Sequence, residues 1–252
     1  MVETKGTILI TGASGGLGAE MARQFAVLGY DLALCARRTD RLDQLKAEIL
    51  AAHPQRRIEV RALDVTDDDQ LFAVFAAFQT DFGTIERVVV NAGLGKGQPL
   101  GTGRYDANRQ TAMTNFIGAL AQVEAAMEIF RAQGSGHLVM ISSMSAMRGL
   151  PKNLTTYAAT KAAVAHLAEG VRAEMYGKPI DVTVLYPGYI ASEMNAKVAQ
   201  RTPMMASTEK GVRSMVAAIE KRVDSACVPR LPWAPMSLLL KHAPMAVYRK
   251  LV

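Results

Sequence analysis

The sequence holds only two cysteines and one tryptophan in 252 residues, and no apolar run long enough to cross a bilayer. Cys35 and Cys227 are too few and too separated for a disulfide framework or a metal knuckle; both read as reduced core thiols in strand-like contexts. His53, His137, His166 and His242 show neither zinc-ligand spacing nor the setting of a hydrolytic triad, so each reads as a surface or packing residue. Repeats, low-complexity tracts and linkers are also missing, which leaves one domain over residues 1–252. The first apolar strand starts by residue 7, too early to leave room for a signal peptide, and the expected location is the cytoplasm. No nucleic-acid partner is expected. The net charge is +6, but the basic residues lie scattered among acids, apart from Arg37-Arg38 and Arg56-Arg57.

What is present is alternation. Apolar runs near 6–11, 31–36, 57–62, 86–91, 137–142, 180–186 and 226–228 read as strands. Helical patterns fall between them near 16–28, 39–52, 67–80, 107–132, 156–176 and 207–223. Such a chain predicts an α/β fold, a parallel sheet doubly wound with helices on both faces. Two stretches fit less well. Residues 190–206 lack strand character, and the tail from Pro229 carries prolines at 229, 232, 235 and 244 around Trp233 and Leu238-Leu-Leu240. Both read as irregular, so that 190–252 would serve as a substrate lid and C-terminal extension.

Thr11-Gly-Ala-Ser-Gly-Gly-Leu-Gly18 follows the first strand and opens the first helix. Gly12 permits a tight turn, Gly16 a close approach of backbone to a pyrophosphate, and Gly18 the packing of helix on sheet. With Ser14, Gly15 and Leu17 they form a loop whose N–H groups and helix dipole face phosphates. The second strand ends at Ala36, where NAD-binding folds tend to place an acid for the ribose 2′-hydroxyl. Here Arg37 and Arg38 follow, and a guanidinium suits a 2′-phosphate. NADP(H) is therefore favoured over NAD(H), Arg37 being the first candidate ligand and Arg38 the second.

Tyr157 and Lys161 stand four apart in a helical pattern, on one face. A nearby ammonium favours the phenolate, so the pair is expected to lower the tyrosine pKa toward neutral and make it a proton donor and acceptor.

With Asp64-Val65, Val90-Asn91-Ala92-Gly93 and Pro187-Gly-Tyr-Ile-Ala-Ser192, these motifs resemble the short-chain dehydrogenase/reductase family over roughly residues 5–195. The resemblance implies a Rossmann-type sheet with a cofactor-binding and catalytic core over 5–195. Asp64 and Val65 would meet the adenine, and Asn91, Ala92 and Gly93 would border the cofactor. Pro187, Gly188, Ile190 and Ser192 would lie at the nicotinamide carboxamide. It also implies a catalytic group of Asn115, a serine, Tyr157 and Lys161, with Asn115 holding a relay water and Lys161 also binding the nicotinamide ribose. The candidate serines are Ser142, Ser143 and Ser145, while the family's usual serine-to-tyrosine spacing lands on Met144; Ser143 is favoured by strand register, and Ser145 is the runner-up. The implied activity is NADP(H)-dependent interconversion of a carbonyl and its alcohol. An apolar rim of Leu94, Gly95, Met144, Met147, Tyr189 and Met194 points to a lipophilic ketone or aldehyde, steroid-like or fatty acyl. Epimerisation or dehydration with bound cofactor, or NADP sensing without turnover, are the alternatives. The family also implies dimers or tetramers built on helices 107–132 and 156–176, where Ala158, Ala159, Ala162 and Ala163 suit close packing. The basic, apolar tail admits a weak contact with a membrane surface.

Overall fold

The structure, a computed structural model, describes residues 4–95, 97–192 and 205–251. Among these residues seven strands form one parallel sheet: β1 (Thr7–Thr11), β2 (Asp31–Ala36), β3 (Ile58–Ala62), β4 (Arg87–Val90), β5 (Gly136–Ile141), β6 (Ile180–Pro187) and β7 (Ser225–Val228). Their order is β3-β2-β1-β4-β5-β6-β7, so the chain reverses its winding between β1 and β4. Crevices outside the carboxyl ends of strands at such a reversal are where doubly wound folds bind ligands.

Side chains alternate through the sheet. Leu9, Val88, Val90, Leu138 and Met140 face α3 (Asp68–Phe82), α5 (Gly118–Gln133) and α6 (Thr155–Met175), whose Phe75, Phe78, Phe130 and Val164 fill that side. Ile8, Ile10, Leu34 and Val139 face α1 (Gly16–Leu28), α2 (Thr39–Ala52) and α7 (Thr208–Glu220), which contribute Phe25, Leu42 and Met215. Helix starts are fixed locally. Asp67 accepts the N–H of Gln70 to open α3, and Ser207 accepts that of Lys210 to open α7.

The amino end of the sheet carries a buried polar chain. Arg87, 2% exposed, donates from Nε to His137 Nδ1 at 2.9 Å and from Nη1 to Glu220 at 2.7 Å. Arginine only donates, so the His137 proton sits on Nε2, which faces Thr183 Oγ1 at 2.9 Å; Thr183 donates onward to the Val223 carbonyl. Burial, then Arg87 and Arg222, drive the His137 pKa down to about 2.

The helix expected over 107–132 is present as α4 (Tyr105–Ala112), a π-helical turn (Met113–Ile117) and α5, with helical backbone at both junctions. One reading of the sequence is corrected. The tail is not irregular but forms α8 (Arg230–His242) and α9 (Met245–Leu251). Leu231 is non-helical, so regular helix begins at Pro232, and Pro235 removes only the first intrahelical N–H, that toward the Leu231 carbonyl.

Candidate active site

The carboxyl ends of the strands open on a cleft of about 650 Å³. Along it lie Gly12, Ser14, Gly15, Gly16 and Leu17, then Arg37 and Arg38, Asp64 and Val65, Asn91, Ala92 and Gly93, and finally Pro187, Gly188, Ile190 and Ser192. All the expected cofactor residues line it except Gly18. That glycine is buried behind the loop, where an added Cβ would collide with the Gly12 carbonyl. Gly12 itself has φ +65°, and a Cβ there would sit 2.9 Å from Ala92 Cα. The loop thus lies directly on the segment after β4.

Thr11 fastens the two. Its Oγ1 accepts the N–H groups of Asn91 at 3.0 Å and Ala92 at 3.1 Å, while Asn91 Nδ2 donates back to the Thr11 carbonyl at 2.9 Å. The first turn of α1 has no acidic residue and no side-chain cap, which leaves the positive end of its dipole facing the cleft. Arg38 reaches back to Ser14 Oγ at 3.2 Å, and Arg37 lies 3.9 Å from Asp64 Oδ2. Open backbone donors with two guanidinium groups beyond β2 fit the phosphates of a dinucleotide.

Ser143, Tyr157 and Lys161 line the same cleft. The Ser143 hydroxyl stands beside the Tyr157 phenol and accepts the N–H of Ser145 at 3.1 Å. Ser145 does not line the cleft; its Oγ is buried without a partner among the described residues. Lys161, 6% exposed, donates from Nζ to the Ile141 carbonyl at 2.9 Å, and Ser142 Oγ donates to the Lys161 carbonyl at 2.7 Å. The ammonium therefore points at the end of β5 and stands 5.9 Å from the Tyr157 ring centre. This changes the expected electrostatics. Burial pushes the Tyr157 pKa up, opposed by the Ser143 hydrogen bond, and burial lowers Lys161 to about 8.

Asn115 sits in the π-helical turn and is buried outside the cleft lining. Its Oδ1 accepts the Leu94 N–H at 2.6 Å, and its Nδ2 donates to the Leu94 carbonyl at 2.8 Å and to Thr160 Oγ1 at 3.3 Å. Of the expected rim, Leu94 and Gly95 line the cleft, whereas Met144, Met147 and Tyr189 do not; Met194 lies outside the described residues. Trp233 packs on Gly188 and meets Tyr189 edge to face, ring centres 5.4 Å apart. Thr11, Ser142, Thr160 and Trp233 went unremarked as supports in the sequence reading. The fixed place of Thr11 at the end of β1 was the one available signal.

Residues 6–203 match the short chain dehydrogenase family. An uncharacterized oxidoreductase of Mycobacterium tuberculosis is 51% identical over 247 residues, which cover 98% of this chain and 97% of that protein. The crystal structure of levodione reductase superposes with a TM-score of 0.83 at 24% identity, covering 92% of this chain and 98% of the other. A short chain dehydrogenase/reductase from Burkholderia phymatum in complex with NAD gives 0.83 at 21% identity, covering 98% and 96%. At these identities the two structures speak for the fold alone.

Proposed function

This chain belongs to the short chain dehydrogenase family, and from that membership we propose that it is an NADP(H)-dependent reductase of lipophilic ketones or aldehydes. One observation carries the reading: Ser143, Tyr157 and Lys161 share a single cleft with the glycine loop and Arg37-Arg38. Residues 5–195 would hold cofactor and chemistry, 190–252 would shape the substrate end, and copies would associate as dimers or tetramers.

A nicotinamide dinucleotide bound in the cleft would supply the hydride, or accept it in the reverse direction. The residues do the rest. Ser143 and Tyr157 donate hydrogen bonds to the substrate carbonyl oxygen and stabilise the charge that gathers there. Tyr157 gives its phenolic proton to that oxygen as the carbon is reduced, so one hydride and one proton convert the carbonyl to the alcohol. With its pKa raised by burial, Tyr157 is in the proton-donor form at neutral pH. Lys161, held by the Ile141 carbonyl, presents its ammonium beside the phenol and to the ribose hydroxyls. Asn115 positions the Leu94 backbone at the rim, next to the proton path. Beyond β2, Arg37 and Arg38 would bind the 2′-phosphate, with no acid at Ala36 to repel it.

The test is cofactor oxidation against a panel of ketones and aldehydes. NADPH turnover is expected with wild type and its near-complete loss with Tyr157→Phe. Equal, slow oxidation by both proteins on every compound would overturn the reductase reading. Arg37→Ala should weaken NADPH far more than NADH, and equal effects would remove the NADP preference.

A further inference from the structure

The C-terminal helix pair presents to solvent what a solvated helix hides. On α8, Pro235, Leu238, Leu239 and His242 recur at the spacing of one helix face and all are exposed, Leu238 at 63%. Leu231 just before them is 74% exposed, and on α9 Met245 (59%) and Val247 are exposed as well. The opposite side of the pair is anchored. Trp233, Ala243 and Tyr248 are buried, and Trp233 packs on Gly188. Arg148 donates to the carbonyls of Leu240 and Ala243, and its guanidinium lies 4.4 Å from the Tyr248 ring centre. Tyr248 donates to the Gly149 carbonyl. The inner face is thus fastened to the turn that follows Ser143, and the outer face of α8 carries an exposed apolar stripe.

Charge selects the occupant. Residues 225–252 contain no Asp or Glu but carry Arg230, Lys241, Arg249 and Lys250, four of the cations behind a net charge of +6. All four are exposed or half-buried, flanking the apolar stripe. A second copy meeting this face about a two-fold axis would set the same cations against each other. No helix among the described residues is long and apolar enough to cross a membrane. Short helices with an apolar face and a basic border suit the plane of a bilayer with anionic headgroups. We propose that α8 and α9 together form a docking surface for an anionic membrane, apolar stripe inward, with Lys241, Arg249 and Lys250 at the headgroups. Docking of this kind holds the Ser143 turn near the lipid.

Co-sedimentation of the full chain with vesicles tests this, using pure phosphatidylcholine and an equimolar mixture with phosphatidylglycerol. Wild type is expected to pellet with the anionic vesicles at low salt, less at high salt, and little with phosphatidylcholine. Replacing Leu238 and Leu239 together by Glu should abolish the binding. Changing Lys241, Arg249 and Lys250 together to Gln should lower partitioning on the order of a hundredfold. Circular dichroism and thermal midpoints identical to wild type establish that both variants fold, as expected for exposed positions. The proposal is overturned if wild type binds both vesicles equally weakly, or if both folded variants bind as wild type does. It is likewise overturned if the leucine variant breaks a soluble oligomer while vesicle binding persists, which would assign the face to a second copy.

Discussion

Asn115 holds the backbone of Leu94 at both ends, accepting its N–H at 2.6 Å and donating to its carbonyl at 2.8 Å. Two polar groups of a rim residue are thereby satisfied by one buried amide. Asn115→Leu leaves both unpaired, and each buried unsatisfied group costs about 1–3 kcal/mol. A loss of several degrees in thermal midpoint is expected, together with a fall in kcat. A variant as stable as wild type would show that the clasp is not needed.

The two serines separate by opposite effects. Ser143→Ala removes a hydroxyl beside Tyr157 in the cleft and should reduce kcat by about a hundredfold, the scale of losing one transition-state donor. Ser145→Ala removes a buried hydroxyl that has no partner among the described residues. Its activity should be near wild type and its stability equal or higher by about 1 kcal/mol. Urea midpoints and initial rates on both variants decide the matter; the reverse pattern would make Ser145 the donor.

His137 makes stability fall with acid. Unfolded, the imidazole takes a proton near its ordinary value of 6.5; folded, it stays neutral down to about 2. Below 6.5 the unfolded chain therefore binds the extra proton, and stability contributed at neutral pH is lost steadily as pH drops toward 2. Urea midpoints from pH 7.5 down to 5 should decline for wild type. His137→Gln should start lower, because it disturbs the bonds to Arg87 and Thr183, yet decline less steeply. Parallel slopes would mean the loss arises from other groups.

Lys161 sets an alkaline limit. Its pKa of about 8 means that the ammonium is lost through that range, while Tyr157, shifted upward, remains protonated. The kcat/KM for reduction is expected to fall above about pH 8. In Lys161→Arg the guanidinium stays charged, so the fall should vanish from a lower starting rate. Identical pH profiles would remove Lys161 as its cause.

Much of this architecture was legible in sequence, for reasons that name the exceptions. The strands stood out because β-branched runs such as Ile180-Asp-Val-Thr-Val end at strong breakers, and the cofactor loop because its glycines sit between strand and helix. The π-helical turn at Met113–Ile117 did not, since it accompanies tertiary bonds from Asn115 to Leu94 and Thr160 that local pattern cannot show. The tail was misread because prolines mark breaks by default, whereas Pro232 and Pro235 begin a helix. The direction of the Tyr157 shift was missed for a similar reason. Four-residue spacing places Lys161 near the phenol, but it does not show that the phenol is buried, and burial raises its pKa.

The two bonds between β5 and α6, Lys161 Nζ to the Ile141 carbonyl and Ser142 Oγ to the Lys161 carbonyl, work as a key between strand end and helix. Each side chain reaches the other's neighbourhood directly, without passing through the intervening turns. Where Tyr157 comes to rest beside Ser143 then follows from the key together with the anchored turn between them. Alignment of the two residues is thus a matter of tertiary bonds between strand end and helix, which a count of positions from serine to tyrosine does not register.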